Sequence, residues 1–326
     1  MRSLITSPTR AVIATLFLLV LAAFPFFEEE FYTEMVTRVM ILSIFAVSLD
    51  LLLGYTGLIS FGHAAWFGLG GYVLALLGTK YRLTESLWLT MPAAMAVTAA
   101  ASFLVGLLVL RTRGMFFIMV TLAFAQIFYF FFHDVEALGG SSDGLHLRGK
   151  PSASIGEWVP FDLSDTNTLY YFVLVVLVAL LLFMVLLLRS PLGRALQGIR
   201  ENEHRMEAIG FPVFRYKLAA FTISGAFAGL AGYLFAVLNG SVNPEMLSWH
   251  QSADGLLILI LGGMGQLWGG VIGAFTFVLL QQVLSGVADK WHLWMGIIII
   301  LLVLFLPGGM ISLLDRLKGL WQGRAA

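Results

Sequence analysis

An all-α bundle of membrane-spanning helices is the fold class this sequence predicts, and three observations carry it. Hydrophobic residues fill 59% of the 326 positions and charged residues only 12%, against roughly 25% charged in soluble domains. Apolar runs long enough to cross a bilayer, about 20 residues each, recur along the chain; the clearest, "LYYFVLVVLVALLLFMVLLL" at 169–188, has no charge. Glycine clusters interrupt these runs. "GYTGLISFGHAAWFGLGGYV" at 54–73 holds six glycines, each of which weakens a helix by about 1 kcal/mol relative to alanine.

The first apolar run, 11–27, follows Arg2 and Arg10 like a signal peptide. No small-x-small cleavage pattern comes after it; Glu28, Glu29 and Glu30 do, so an uncleaved first span is expected. Further spans are expected at 35–53, 60–79, 87–110, 114–132, 169–188, 217–239, 253–264, 268–287 and 291–306, about ten in all. The segment 253–264 is too short to cross alone and reads as a broken helix or a re-entrant piece. The whole chain, 1–326, forms one transmembrane domain with two longer loops, 133–168 and 189–216.

Ten spans place both termini on one side. With the N-terminus in the cytoplasm, cytoplasmic loops receive 13 of the 19 lysines and arginines and the opposite loops 6, the bias expected of a multi-pass membrane protein. Loop 133–168 is then external, loop 189–216 cytoplasmic, and both termini cytoplasmic.

Several function classes are disfavoured. The chain has no cysteine, so disulfides, thiol catalysis and cysteine metal sites are absent. Its zero net charge gives no sign of a nucleic-acid partner. No P-loop is present, and "GGMGQLWGG" has Trp268 where a dinucleotide fingerprint needs its third glycine after Gly263 and Gly265. His204 with Glu201 and Glu207 reads as a charged surface face, not a metal site. No catalytic residue, metal or cofactor is expected.

The glycines carry two readings. Gly265, Gly269 and Gly273 fall four apart, as do Gly225 and Gly229, a spacing that lets helices approach closely in lipid. Glycine-broken helices in both halves of a chain also mark transport routes. Polar residues inside spans are few: Asp50, His63, Gln126, Asp254, Gln266, Gln281 and Gln282. Asp50 and Asp254 lie near span ends, where a carboxylate either reaches the interface or faces protein. His63 is expected to bond neighbouring backbone rather than a metal or a proton path.

Loop 189–216 is more specific. Its apolar spacing holds from Leu196 to Ile199, breaks at 202–204 and resumes at Met206, predicting two short helices with a turn at Asn202. Gly210 and Pro212 end the second. The segment is either a solvated loop on the bilayer surface or a docking knob for a partner.

At these residues the chain resembles a family. "LDLLLGYTGLISFGHAAWFGLGGYVLALL", "GGSSDGL", "GIRENEHRMEAIGFPVFRYKLAAFTISGAFAGLAG", "LILGGMGQLWGGVIGA" and "LFLPGGM" together resemble the permease subunit, LivM type, of high-affinity branched-chain amino acid ABC importers. Gln266 and Gly270 depart from the family's usual serine or threonine and proline. The resemblance implies a type II ABC importer-like bundle that carries branched-chain amino acids inward. Its implied partners are a second homologous permease, two ATP-binding cassette subunits that hold the ATP, an external substrate-binding protein, and membrane lipid. It implies a translocation path along Ser60, Gly62, His63, Gly68, Gly70 and Gln266. ATPase coupling falls to Arg200, Glu201, Glu203, Arg205, Glu207 and Gly210, and a binding-protein-facing loop to Gly139, Gly140, Asp143 and Gly144. Related importers carry urea or short amides, and these remain the alternative cargo. A secondary transporter or channel would need more charge within the spans. A membrane-embedded enzyme would need a zinc-binding histidine pair or a catalytic dyad, and no convincing one is present.

Overall fold

The computed structural model describes residues 17–26, 29–135, 138, 143–154, 160–287, 290–305 and 308–312. The chain is helical almost throughout. In order come α1 (Phe17–Phe26), α2 (Glu30–Thr56), α3 (His63–Leu74) continued by a π-helical turn (Ala75–Lys80), α4 (Leu87–Val109), α5 (Met115–Asp134) and α6 (Thr166–Arg189). The amphipathic α7 (Pro191–Glu201) and short α8 (Glu203–Ala208) lead into α9 (Val213–Asn239), α10 (Trp249–Gly262), α11 (Gly269–Val287) and α12 (Trp291–Phe305).

Among the described residues, six helices are long and apolar enough to cross a membrane: α2, α4, α5, α6, α9 and α11. They coincide with six of the ten expected spans. The remaining four correspond to shorter helices, α1, α3, α10 and α12, so length and composition alone support six crossings rather than ten. The segment 253–264 is the greater part of α10, a 14-residue helix that turns at Gly263 and packs back to back with α11.

Helix α2 is the axis of the fold. One apolar core joins it to α3, α4, α6 and α9, and a second joins it to α10, α11 and α12. Val39, Leu42, Ala46 and Leu49 face the second core, while Met40, Ile41, Ile44 and Leu51 face the first. A helix apolar on all sides belongs in the interior, and α2 is buried from Val39 to Leu52. The outer helices leave large apolar side chains uncovered, such as Phe116 and Met119 on α5 and Leu186 on α6, as a lipid-facing surface does.

Helix α9 crosses α3 and α4 through its glycines. A Cβ on Gly70 of α3 would overlap the Gly229 carbonyl, and one on Gly232 would overlap the Phe67 carbonyl. Thr98 and Ser102 of α4 occupy the space a side chain at Gly229 or Gly225 would need. Close packing therefore accounts for these glycines directly. The expected single face of Gly265, Gly269 and Gly273 is corrected. Gly269 and Gly273 lie on α11 against the backbone of α10, but Gly265 sits in the turn before it, at φ +72°.

Loop 133–168 is tied to the rest of the chain at two points. Strand β1 (Leu145–His146) pairs antiparallel with β2 (Ser241–Val242) after α9, and the Leu87 N–H donates to the Ser152 carbonyl at 2.8 Å.

Candidate functional site

Two interruptions of the helical chain meet at the C-terminal end of α2. The first runs from Gly57 to Gly62, between α2 and α3; the second runs from Gly263 to Trp268, between α10 and α11. The second reaches α2 because Gly54 has no side chain: a Cβ there would lie 2.5 Å from the Gly265 nitrogen. The Gly265 N–H donates to the Asp50 carboxylate at 2.8 Å. Asp50 is 2% exposed, so of its two expected placements it takes the protein-facing one.

Ser60, Gly62, His63, Gly68 and Gly70 are all buried within the chain. The Gly62 N–H donates to Ser60 Oγ at 3.3 Å, and the Phe61 N–H to Thr121 Oγ1 at 3.2 Å. A Cβ on Gly62 would come 2.5 Å from the Thr121 carbonyl oxygen, and one on Gly68 would overlap Leu247. His63 opens α3 with its Nε2 2.9 Å from Ser48 Oγ. Its expected backbone partner is thus corrected: the contact is a side chain of α2. Ser48 donates its own hydroxyl to the Phe45 carbonyl at 2.7 Å, so its oxygen accepts and His63 carries the proton on Nε2. Ser252 of α10 accepts the neighbouring Ala64 N–H at 2.8 Å. Gln266 is half-buried, and its carbonyl accepts the Gly269 N–H at 2.6 Å, closing the turn.

The segment 189–216 has the two helices its spacing predicts. Ser190 caps α7, and Asn202 caps α8 by accepting the Arg205 N–H at 2.9 Å. Ala195, Leu196 and Ile199 bury the inner face of α7. Gly210, at φ +87°, ends α8 with the Phe211 N–H on the Met206 carbonyl, a turn that favours glycine.

The charges of this segment divide. Glu203 accepts from Lys217 Nζ at 2.6 Å, and Arg113 lies 3.0 Å from Glu207 and 3.7 Å from Glu203. Glu201 and Arg205 are exposed, beside the uncovered Ile209 and Phe211. Although exposed along part of its length, Arg200 turns its guanidinium onto the Gly54 carbonyl. Sequence reasoning missed Lys217, Arg113, Ser48 and Ser252 as partners. Each is remote along the chain from what it binds, and no local spacing signals it.

Of the four expected loop residues, Gly144 takes φ +69° and stands so close to the Val242 carbonyl that a Cβ would overlap it. Asp143 precedes it in a turn. Gly139 and Gly140 lie outside the described residues.

Comparison with known proteins follows this architecture. The family model described as "Branched-chain amino acid transport system / permease component" matches residues 31–306. The permease LivM of Salmonella typhimurium is 34% identical, covering 94% of this chain and 76% of its own length. LivM of Escherichia coli K12 is 35% identical over 91% of this chain and 74% of its own. LivH of the same strain is 22% identical over 83% and 91%. No solved structure matches the chain. Matched over most of its length, the chain belongs to the permease-component family of branched-chain amino acid transport systems.

Proposed function

We propose that this chain is the translocating subunit of an ABC importer for leucine, isoleucine and valine in a bacterial inner membrane. The observation that carries the reading is its 34–35% identity to LivM permeases across more than nine tenths of its length. Similarity to both LivM and LivH, at different levels, supports pairing with a second, homologous permease. Energy comes from two separate ATP-binding cassette subunits, since the chain has no P-loop. They dock on the exposed Glu201, Arg205, Ile209 and Phe211, with Glu203 and Glu207 bracing the knob from behind and Gly210 setting its last turn. A substrate-binding protein docks outside, over Asp143–Gly144. Both termini lie in the cytoplasm with this knob.

The path runs along the face left between the two chain breaks and the partner permease. Gln266 contributes a neutral polar group there, and Ser60, Gly62, His63, Gly68 and Gly70 hold the helices that shape it. A neutral path suits a zwitterion with an apolar side chain, because fixed charge would trap either end. The guanosine permease NupP of Bacillus subtilis is 24% identical over 77% of the chain, so cargo varies among relatives, and urea or short amides remain the competing substrates. The test is uptake into proteoliposomes holding the complete complex and its binding protein. ATP-dependent, saturable leucine uptake is expected; saturable urea or guanosine uptake without leucine uptake would overturn the assignment.

A further inference from the structure

We infer that Arg200 is a positioning residue that carries movement of the α7–α8 segment to the Gly263–Gln266 break, through Gly54 and Asp50. The inference rests on the ABC-permease reading above.

The last carbonyls of a helix have no partner within it. In α2, the Leu58 N–H, four residues after Gly54, turns instead to the Leu52 carbonyl at 2.9 Å. This leaves the Gly54 carbonyl to the Arg200 guanidinium. Gly57 lets the arginine in: at φ +79°, it has the Arg200 Cγ 3.4 Å from where a Cβ would stand. One turn back on α2, the Asp50 carboxylate holds the Gly265 N–H at 2.8 Å. A Cβ on Gly265 would lie 2.8 Å from Arg200 Nη1 and 3.0 Å from the Gly54 oxygen. The end of α7, the end of α2 and the turn between α10 and α11 thus meet at one point.

That turn is built on glycines and is closely packed on both sides. Gly263 and Gly265 both take positive φ, at 117° and 72°. Met264 between them is 46% exposed, and on the far side a Cβ on Gly309 would reach 2.5 Å from the Gly263 nitrogen. The α8 end is fixed differently, by the 2.6 Å ion pair of Glu203 with Lys217 of α9. Helix shifts of about 1–2 Å are a common currency of switching. A shift of that size in the α7–α8 segment moves the Arg200 end of α7. It then either parts Arg200 from Gly54 or carries the α2 end and the break with it. A charge-assisted hydrogen bond to a backbone carbonyl favours the second.

The experiment uses the complete complex in proteoliposomes with leucine, its binding protein and ATP. Arg200→Gln and Gly265→Ala attack the contact from opposite sides; Arg200→Lys keeps the charge and one donor. An environment-sensitive fluorophore on Met264→Cys reports the break, since the chain has no other cysteine. In the unmodified background the fluorophore responds to ATP with vanadate. With Arg200→Gln or Gly265→Ala the response is lost, and leucine moved per ATP hydrolysed falls about tenfold, within the usual range for coupling between sites. Arg200→Lys restores part of both. An unchanged fluorescence response, or unchanged leucine per ATP, in both disruptive variants overturns the inference, as does loss of the ATPase subunits from both. Failure of the wild-type complex to transport leucine would instead overturn the reading on which it rests.

Discussion

Gly70 of α3 lies against the backbone of Gly229 of α9 with no room for a methyl group between them. This crossing seats α3, and with it the first chain break, against the middle of α9. Overpacking a tight site costs about 1–3 kcal/mol, and here the obstacle is backbone, which cannot swing away. Gly70→Ala is expected to lower the thermal midpoint of the detergent-solubilised protein. Gly286→Ala is the control. A Cβ there meets nothing within 4 Å, so the change is expected to be neutral or stabilising by up to about 1 kcal/mol. Equal midpoints for the two variants would show that α3 and α9 are not held by this contact.

The tie between α8 and α9 should be measurable. Lys217 and Glu203 side chains are 10% and 27% exposed, against 59% and 39% for Arg113 and Glu207. A double-mutant cycle of Lys217→Met with Glu203→Gln is expected to give a coupling of about 1 kcal/mol or more in unfolding. The Arg113–Glu207 cycle should fade toward zero in added salt, which screens exposed charges. A Lys217–Glu203 coupling that vanished at moderate salt would show the pair to be a solvated contact.

Docking makes its own prediction. Ile209 is 64% exposed at the tip of the knob, next to Phe211. A partly apolar tip ringed by Glu201 and Arg205 suits a groove on another protein. Ile209→Asp is expected to reduce co-purification of the ATPase subunits, and Glu201→Lys with Arg205→Glu to do the same. Lys217→Met should weaken capture less, because it loosens the knob without changing its tip. Stoichiometry of the purified complex, read by native mass, decides. Full retention of both ATPase subunits by the tip variants would place docking elsewhere.

The Asp143–Gly144 turn tests a smaller claim. Gly144→Ala would place a methyl group in the Val242 carbonyl and strain a φ of +69°, so β1 should part from β2. Protease cleavage within loop 133–168 is then expected to accelerate. Asp143→Ala should weaken capture of the binding protein; unchanged affinity would reduce the loop to a cap over the helix ends.

What the sequence conveyed follows from distance along the chain. The α7–turn–α8 unit was legible because its signals are local: Leu196, Asn202, Gly210 and Pro212 lie within 17 residues. Apolar runs located every long helix for the same reason. The partner of Asp50 was not legible, since Gly265 lies 215 residues away. Nor was Ser48, because a serine inside an apolar run reads the same whether it faces lipid, backbone or a histidine. Four-residue spacing misplaced Gly265 because the break at Gly263 ends α10 before the spacing can act. Composition could count apolar runs but not how many cross, since α3 and α10 are apolar, short and buried among neighbours.

His63 and Ser48 give the sharpest test of what the α2–α3 break does. The histidine is fully buried, its Nε2–H lies on the Ser48 oxygen at 2.9 Å, and its ring packs 5.3 Å from that of Phe45. Removing Ser48 leaves the imidazole Nε2 without its partner in an apolar interior, at a cost of about 1–3 kcal/mol, whereas replacing both with apolar groups of similar shape can be nearly neutral. Ser48→Ala alone is therefore expected to destabilise the protein more than the double variant with His63→Leu does. If His63 serves to seat α3 against α2, the double variant also transports leucine, because the helices keep their places. If the imidazole instead touches the cargo, the double variant is stable and inactive. Melting curves and uptake on the same proteins separate the cases. A stable double variant with uptake near wild type is the expected result, and a stable one without uptake would move His63 from the wall of the path to its lining.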